Sequence, residues 1–334
     1  MKRVSLAAIA KEVGLSKTTV SMVLNGKGDI YKLNSETQKR VLEVAKKYRF
    51  TPNKSARNLS NGNSMTLGLI VPSIVDSHFS QIAEIIEKIS SKFGYQVLLG
   101  TTNGDPKKEK ELLLKFEAEY VDGILIASTQ QNLLDIQAVY NSGLPIVLFD
   151  RHYPGTNLPH VIVDNYIGSL KLVEYLIANN HKSIGYVGLD LELSAIHERK
   201  NGFNDAIKKY KVKNSEMKIV EQAKYKTQCP MAVEELLIGK NISALVFETH
   251  YLALYGIGKI NELGLNYPGN VTLVSFGDHE VFSIFRPEVT ALVQPAKKIA
   301  DSAMKILFNL ITRQESDSLP ESIIEAPELI VRNT

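Results

Sequence analysis

The stretch from residue 5 to residue 24 reads Ser-Leu-Ala-Ala-Ile-Ala-Lys-Glu-Val-Gly-Leu-Ser-Lys-Thr-Thr-Val-Ser-Met-Val-Leu and predicts two short helices joined by a tight turn. Ser5 and Ser16 can cap the two helices, because a serine hydroxyl accepts hydrogen bonds from the free N–H groups of a first helical turn. Gly14 supplies the turn between them. Apolar residues recur at helical spacing: Leu6, Ile9, Ala10 and Val13 in the first helix, and Val20, Val23 and Leu24 in the second.

The second helix has a polar, cationic face opposite its apolar residues, formed by Lys17, Thr18, Ser21 and Met22. This face is small enough to enter the major groove of DNA. A helix, a glycine-containing turn and a capped second helix are typical of a helix-turn-helix domain. The alternative interpretation is an ordinary helical hairpin in a larger core, and the distribution of charge favours the DNA-binding one.

Charge is distributed unevenly along the chain. Residues 1–60 contain 13 Lys or Arg against 4 Asp or Glu, a net charge of +9, whereas the rest contains 26 against 32, a net charge of −6. Basic residues gathered in a small region gain affinity for nucleic acid by displacing counterions from the phosphates. A solvated charged surface is the alternative, but a segment this basic would repel itself without a polyanionic partner. We expect double-stranded DNA.

Length and composition narrow the class of protein. The chain has 334 residues, 44% of them hydrophobic, and a mean hydropathy of −0.07, which fits a soluble protein with two core-forming domains and a small appendage. We expect no membrane span and no secretory leader. The single cysteine, Cys229, suits a reducing cytoplasm. Its use as a catalytic nucleophile is disfavoured, because no paired base is apparent, and we expect it in a helix.

A third helix is predicted to begin at Ser35, which can form a capping box with Gln38. Its predicted buried stripe consists of Val41, Leu42, Ala45 and Tyr48. The turn before this helix, residues 26–34, is rich in glycine and lysine. We expect its lysines to contact phosphates, which would position the domain on DNA without reading the base sequence.

Residues 51–63 form a candidate hinge. Pro52 or Asn53 can start a helix and Gly62 can end it. The helix would have about two turns, too few to persist alone in water. We therefore expect a segment that becomes helical when it docks, with a simple linker as the alternative.

From residue 66 onward, short apolar strands alternate with amphipathic helices. Continuous apolar strands joined by helices predict parallel sheets covered on both faces, an α/β fold. The alternation runs through two comparable halves, about 66–160 and 164–290. The predicted strands are 67–71, 95–99, 123–127, 146–149, 161–163, 184–187, 244–247 and 271–276.

Polar side chains follow the predicted carboxyl ends of these strands, where open α/β sheets bind their ligands. Carboxylates that accept hydroxyl protons and guanidiniums that donate to oxygens predict a site for a sugar or a sugar phosphate. Helix caps and salt bridges are the alternative roles for each residue. The candidates are Ser73, Asp76, His78, Phe79, Asp150, Arg151, His197, Arg199, Thr249, His250 and Asp278.

Several motifs resemble those of LacI/GalR-family transcription regulators, and the resemblance covers nearly the whole chain. Residues 15–25 are similar to the recognition-helix motif and residues 52–59 to the hinge-helix motif. The core motifs are Val163-Asp164-Asn165 with Gly168, His181, Arg199 with Gly202-Phe203, and Gly277-Asp278. The resemblance implies a homodimer on a pseudo-palindromic operator. It also implies a periplasmic-binding-protein-like core of two Rossmann-like subdomains, with the effector between them.

The resemblance also implies roles for residues of the DNA-binding region. Base readout would fall to Lys17, Thr18 and Met22; phosphate contacts to Ser5, Thr19, Ser21, Asn25 and Lys32; and the hinge to Asn53, Ala56, Arg57 and Leu59, with Leu59 in the minor groove. The implied domains are 1–50 for the helix-turn-helix, 51–63 for the hinge, 64–162 with 292–325 for one subdomain, and 163–291 with 326–334 for the other.

Within the family, three features resemble the fructose-repressor branch: the lengthened turn 26–34, the stretch 149–151, and Leu193-Ser194 ahead of Arg199. Two positions depart from the commoner pattern. Thr249-His250 stands where many members have Asn-Asp, and Met22 stands where an Arg or His often reads a base.

We therefore predict a cytoplasmic bacterial regulator, with repression as its expected mode, that lies on the nucleoid when bound to DNA. A solute-binding protein is the alternative, although it would carry a signal peptide and no basic DNA-binding domain. An enzyme would need a phosphate loop or a catalytic set, and Gly256-Ile257-Gly258 falls within a predicted helix rather than at a strand-to-helix turn. We expect no catalytic residues, no cofactor and no metal.

Overall fold

The computed structural model describes residues 4–48, 50, 63–312 and 322–334. The chain forms two compact units, Met1–Ser64 and Met65–Thr334.

The described part of the first unit contains three helices: α1 (Leu6–Val13), α2 (Lys17–Leu24) and α3 (Ser35–Lys47). Ser5 caps α1 and Ser16 caps α2, accepting from Ala8 N at 3.3 Å and Thr19 N at 3.0 Å. Gly14 ends α1 at a φ of 69°, in the left-handed region that glycine tolerates. The core between the helices is formed by Ile9, Ala10, Val13, Val20, Val23, Val41 and Ala45. The predicted two-helix hairpin is therefore present.

Helix α3 begins at Ser35, but the predicted capping box of Ser35 and Gln38 was wrong. Asn34 is the cap and accepts from Glu36 N at 2.8 Å, one residue before the predicted Ser35. Gln38 instead donates its Nε2–H to Asp29 Oδ1 at 2.8 Å and to Leu33 O at 3.0 Å, so it holds the preceding turn. No Ser35–Gln38 capping box forms, because the side chain of Gln38 is engaged with that turn.

The predicted buried stripe of α3 was also only half right. Val41 and Ala45 are buried, whereas Leu42 is 52% and Tyr48 is 38% exposed. Residues 41 and 45 lie one helical turn apart and face α1 and α2. Leu42 is rotated about 100° away from that face, and Tyr48 lies beyond the last helical residue as the C-cap.

Twelve strands and nine helices are described in the second unit. The strands are β1 (Thr66–Val71), β2 (Gln96–Thr101), β3 (Gly123–Ile126), β4 (Ile146–Phe149), β5 (His160–Val163), β6 (Ser183–Asp190), β7 (Asn214–Glu221), β8 (Ala244–Phe247), β9 (Thr272–Phe276), β10 (Thr290–Val293), β11 (Ile323–Glu325) and β12 (Glu328–Ile330). The helices are α4 (Ser77–Lys92), α5 (Pro106–Ala118), α6 (Leu133–Asn141), α7 (Asn165–Ala178), α8 (Ser194–Lys209), α9 (Tyr225–Glu234), α10 (His250–Glu262), α11 (Glu280–Ile284) and α12 (Ala296–Thr312).

The strands form two six-stranded sheets. The first has the order β11-β5-β4-β3-β1-β2 and is parallel throughout. The second has the order β12-β10-β9-β8-β6-β7, parallel except for β12, which pairs antiparallel with β10. Strands such as β4 and β8 are buried along their whole length, since helices cover both faces of each sheet. The predicted α/β core is confirmed.

The chain crosses between the sheets three times in its described part. It crosses after β5, after β10, and between β11 and β12. The last two crossings arise because α12 follows a strand of the second sheet but packs on β4 and β5 of the first. Val163 closes a strand of the first sheet, and Leu292 and Val293 lie in the second. The subdomain boundaries expected at 163 and 292 stay a prediction.

Four strands were not predicted from the sequence: β7, β10, β11 and β12. β7 is an edge strand with one buried residue in eight, so it shows no apolar run. The other three have three or four residues each.

Cys229 lies buried within α9, as expected, and burial raises the pKa of its thiol to about 12. In the described part of the chain, no helix is long and apolar enough to cross a membrane.

Candidate functional site

The outer face of α2 carries the residues predicted to read bases. Lys17 and Thr18 are exposed, and Met22 is half-buried beside them. Val20 and Val23 hold the opposite face of the helix in the core. The described structure therefore leaves the candidate DNA-reading face of α2 open to a ligand.

The residues predicted to contact phosphates lie around α1 and α2. Ser5 and Thr19 lie in the caps and first turns, where both helices lack acidic residues and present their positive dipole ends. Asn25 donates its Nδ2–H to Ser21 Oγ at 3.3 Å, while its Oδ1 has no hydrogen-bond partner among the described residues. Lys32 is exposed. The hinge candidates Asn53, Ala56, Arg57 and Leu59 lie outside the described residues.

A cavity of about 390 Å³, the large cavity, opens at the carboxyl ends of strands from both sheets. A second cavity of about 290 Å³, the polar cavity, adjoins it, and His78 and His250 line both. Nine of the eleven predicted site residues line the large cavity: Ser73, Asp76, His78, Phe79, Asp150, Arg151, Arg199, Thr249 and His250. Asp278 lines the polar cavity.

His197 lines neither cavity. Its side chain is half exposed, and its Nε2 lies 3.0 Å from Glu192 Oε2. On α8, Ile196 and Arg199 share the face toward the large cavity, and the helical rotation turns residue 197 away from it. The structure thus does not bring His197 together with the other predicted site residues.

Asp150 forms the acidic centre of the large cavity. Its Oδ1 lies 3.0 Å from His78 Nε2, and its Oδ2 lies 3.5 Å from Arg151 Nε. Burial opposes the charge of this carboxylate. The hydrogen bond with His78 and the charges of His78, Arg151 and Arg199 outweigh burial and hold the pKa of Asp150 below its usual value. Asp150 is thus an anionic hydrogen-bond acceptor.

Arg199 is a buried cation with neutral partners. It is 6% exposed and stacks on Phe276, with 3.8 Å between the guanidinium carbon and the ring centre. Its N–H groups donate to Asn165 Oδ1 at 2.9 Å, Glu248 O at 3.0 Å and Gln294 Oε1 at 3.4 Å. Among the described residues it has no carboxylate in an ion pair. Its positive charge therefore remains available to a ligand.

The other predicted residues have internal partners. Asp76 Oδ1 accepts from His78 N at 2.9 Å, and Thr249 Oγ1 accepts from Leu252 N at 3.4 Å, so both are helix caps. Asp278 accepts two hydrogen bonds from Arg332, at 2.8 and 2.6 Å. Its carboxylate is therefore engaged in a salt bridge, the alternative role considered for it.

Several residues of the cavities were missed from the sequence. Tyr225 and Tyr251 line the large cavity, with their ring centres 5.0 Å apart, and Leu191 and Leu254 add to this apolar side. Burial raises the pKa of Tyr251. Most of these residues lie in helices or after β7, which was not predicted. The candidates were polar residues directly after predicted strands, and these residues were therefore not among them. His279 directly follows Asp278 and could have been found.

Family comparisons agree with this architecture. Residues 64–323 match the family described as periplasmic binding proteins and sugar binding domain of LacI family. Residues 5–53 match the bacterial regulatory proteins of the lacI family.

Curated relatives align along nearly the whole chain. The HTH-type transcriptional regulator RegA of Clostridium saccharobutylicum is 29% identical over 332 residues, 99% of this chain and 98% of that protein. Catabolite control protein A of Priestia megaterium is 29% identical over 329 residues, 98% and 97% of the two chains. The fructose operon regulatory protein of Vibrio cholerae is 28% identical over 309 residues, 91% and 93%.

Solved structures share the fold. The lac repressor dimer bound to operator and the anti-inducer ONPF superposes with a TM-score of 0.84 at 21% identity, covering 100% of this chain and 99% of that one. A transcriptional regulator from Silicibacter pomeroyi gives a TM-score of 0.84 at 20% identity, covering 99% of each chain. At these identities the likeness concerns the fold.

Proposed function

Because the chain belongs to the LacI family of bacterial regulatory proteins, we propose that a sugar or sugar phosphate bound in its large cavity controls its affinity for an operator. The chain is a DNA-binding transcriptional regulator with an effector-binding core, and it is not an enzyme. The effector, the operator contacts and the oligomeric state are the proposed parts of this function.

Operator reading is assigned to α2. Lys17, Thr18 and Met22 contact base edges from its exposed face, and the phosphate contacts come from Ser5, Thr19, Ser21, Asn25 and Lys32. Two observations support this assignment: the burial of the opposite face of α2, and the net charge of +9 in residues 1–60. The protein acts in the bacterial cytoplasm, on the nucleoid when bound to DNA.

The hinge is assigned to residues 51–63. Asn53, Ala56 and Arg57 follow the minor groove, and Leu59 inserts between base pairs at the operator centre. The similarity of residues 52–59 to the hinge-helix motif supports this assignment.

The single observation that carries the effector assignment is the pairing of opposite charges in one cavity. Arg199 offers a buried positive charge held by neutral acceptors, and Asp150 offers a buried carboxylate. Together they donate to and accept from a ligand rich in oxygen atoms. Because Arg332 holds Asp278, we assign the hydroxyl-accepting role to Asp150 first.

The branch within the family is a further proposal. The fructose-repressor branch is supported by the match to the fructose operon regulatory protein, but catabolite control proteins and PurR repressors match at 26–29% identity as well. A phosphorylated fructose is accordingly one candidate effector among several.

The protein acts as a homodimer in this proposal, and effector occupancy and hinge order bias each other by the same coupling free energy. The similarity to the lac repressor, whose solved structure is a dimer bound to operator, supports this assembly. The alternative, a sugar-binding protein without a regulatory role, leaves the match of residues 5–53 unexplained.

A selection from random double-stranded DNA, read by gel shift, tests the proposal. We expect a pseudo-palindromic site whose affinity falls steeply with salt, since each neutralised phosphate adds about 0.9 to the log–log slope. The selected site is then titrated with a panel of sugars and sugar phosphates. Selection of random or non-palindromic DNA, or a response only to purines or amino acids, would contradict the proposal.

A further inference from the structure

Three histidines, His78, His250 and His279, meet at the junction of the large and the polar cavity, and we refer to them as the histidine cluster. All three line both cavities. His78 lies on α4 beside the first sheet, whereas His250 and His279 lie at the starts of α10 and α11 beside the second. The rings of His250 and His279 are stacked, with their centres 5.5 Å apart.

His250 is the member whose ring lacks a protein partner. It is 8% exposed, and neither of its ring nitrogens has a hydrogen-bond partner in the described part of the chain. His78, by contrast, binds Asp150, and His279 Nδ1 accepts from Val281 N at 3.2 Å. The buried side-chain atoms without a partner are Asn25 Oδ1 and Ser90 Oγ among the described residues, so the nitrogens of His250 are open to the cavities that the ring lines. A buried imidazole that lines a polar cavity without a protein partner is therefore suited to bind a ligand.

The histidine cluster decides the sign of the charge in the two cavities. Seven other charged groups line them, four carboxylates and three guanidiniums, for a formal charge of −1 with neutral histidines and +2 with all three protonated. These groups are Asp76, Asp150, Asp278, Glu280, Arg151, Arg199 and Arg332. Asp150 and Asp278 are bound in ion pairs. Protonation of the cluster thus turns the cavities into a cationic site.

The surroundings of His250 favour its neutral form while no ligand is bound. Burial lowers the pKa of His250 below its usual value; Asp76 opposes this effect, and the nearby His279, His78 and Arg199 add to it. Without a ligand, His250 is therefore neutral at neutral pH. A negative charge placed beside the ring favours its protonated form.

From this arrangement we propose that the effector carries an anionic group, and that this group binds in the polar cavity against His250 and His279. The body of the effector then extends into the large cavity toward Asp150 and Arg199. The inference rests on the proposed function, because it names the chemical class of the same effector. Phosphate and carboxylate share the required charge, and the experiment distinguishes them.

Proton uptake on binding follows from this proposal. The anion draws a proton onto His250, so affinity for the anion rises as the pH falls. A phosphate ester has its second pKa at about 6, so the ligand also exchanges a proton in this pH range. The proton taken up by the protein is therefore measured as the difference between the wild type and a variant that lacks the histidine.

Calorimetric titration of the full-length protein tests the inference, at pH 8 and pH 6.5 and in two buffers of different ionisation enthalpy. The probes are fructose, fructose 1-phosphate, fructose 6-phosphate, glucose, gluconate and inorganic phosphate. We expect one class of anion, phosphate or carboxylate, to bind at least about tenfold more tightly than its neutral parent sugar. Uptake of protons should accompany that binding.

The variants are His250→Gln and His279→Gln, with His197→Gln as the matched control because His197 is exposed and lines neither cavity. We expect His250→Gln to lose the proton uptake of the protein and at least about tenfold in affinity for the anion. His279→Gln should show a smaller loss in the same direction, and His197→Gln should behave as the wild type. Thermal unfolding of each variant shows whether the core remains folded.

The outcomes separate this inference from the proposed function. A neutral sugar that binds as tightly as its phosphate, failure of both classes of anion to bind, or unchanged proton uptake in both His250→Gln and His279→Gln would overturn the inference. A regulator that releases its operator with a neutral sugar leaves the proposed function intact. Failure of the protein to select an operator contradicts the proposed function instead.

Discussion

Gln130 Oε1 accepts a hydrogen bond from Ser194 N at 2.7 Å, and this bond joins the two halves of the core beside Leu193 and Ala195, which line the large cavity. Gln130 follows β3 of the first sheet, and Ser194 is the first residue of α8 beside the second. The preceding Leu193 provides no side-chain cap for α8. A residue of the opposite subdomain therefore caps the helix that carries Arg199.

The loop that presents Gln130 is held by a buried carboxylate. Glu109 is fully buried and accepts hydrogen bonds from Thr129 N at 2.6 Å, Thr129 Oγ1 at 2.9 Å and Ser128 Oγ at 3.2 Å. Gln130 also donates to His152 O. The position of the Gln130 side chain is thus set by its own subdomain before it reaches Ser194.

We predict that Gln130→Ala weakens effector binding by about 3- to 30-fold, because the substitution removes the bond and leaves the Ser194 N–H without this cap. The measurement is a titration with the effector that the panel identifies. Gln131→Ala, an exposed neighbour, serves as the control. Equal affinities of the two variants would show that the Gln130–Ser194 bond does not contribute to effector binding.

Arg199→Ala should lower affinity for the effector by about 10- to 100-fold, since a charge-assisted hydrogen bond to the ligand is lost. Operator binding without effector should persist, because DNA reading is assigned to residues 1–60. A gel shift at rising effector concentration measures both. Lys208→Ala, on the exposed side of the same helix, is the matched control. A wild-type response of the Arg199→Ala protein would refute the assignment of the large cavity.

Leu59→Ala should weaken operator binding by at least about tenfold while leaving the thermal unfolding of the core unchanged. An apolar wedge stabilises a bent operator by inserting between base steps, and alanine is too short to do so. Leu134→Ala, at an 80% exposed leucine of α6, is the control for a leucine-to-alanine substitution outside the proposed DNA-binding region. An unchanged operator affinity would remove the hinge assignment of residues 51–63.

Asp150 makes the free energy of unfolding depend on pH in the acidic range. The pKa of Asp150 lies below its ordinary value of 3.8, so its ionised form stabilises the fold above that pH, and this contribution is lost as the pH falls through the lowered value. We predict that the free energy of unfolding falls further in the wild type than in Asp150→Asn between about pH 5 and pH 2. Denaturant titrations at several pH values measure it.

The exposed Asp190→Asn provides the comparison for the acid titration. The free energy of unfolding of Asp190→Asn should fall with decreasing pH as steeply as that of the wild type. Parallel curves for the wild type and Asp150→Asn would mean that the partners of Asp150 do not stabilise its charge in the folded protein.

Local interactions determined much of this protein, and the sequence by itself therefore predicted them. The hairpin of α1 and α2 depends on Ser5, Ser16 and Gly14, each acting within four residues of its own position. Strands β4 and β8 begin and end where predicted, because buried parallel strands are apolar at every position. The net charge of the first 60 residues is likewise a property of the sequence alone.

Only the tertiary structure decided which polar groups remain free for a ligand. Asp278 is bound by Arg332, 54 residues away, and Asp150 by His78, 72 residues away. Neither pairing leaves a periodic signal, because each joins residues that lie far apart in the sequence and meet only in the folded chain. The sequence brought polar residues to the carboxyl ends of the strands, and the packing of the two sheets left His250 unpaired among the described residues and Arg199 without a carboxylate.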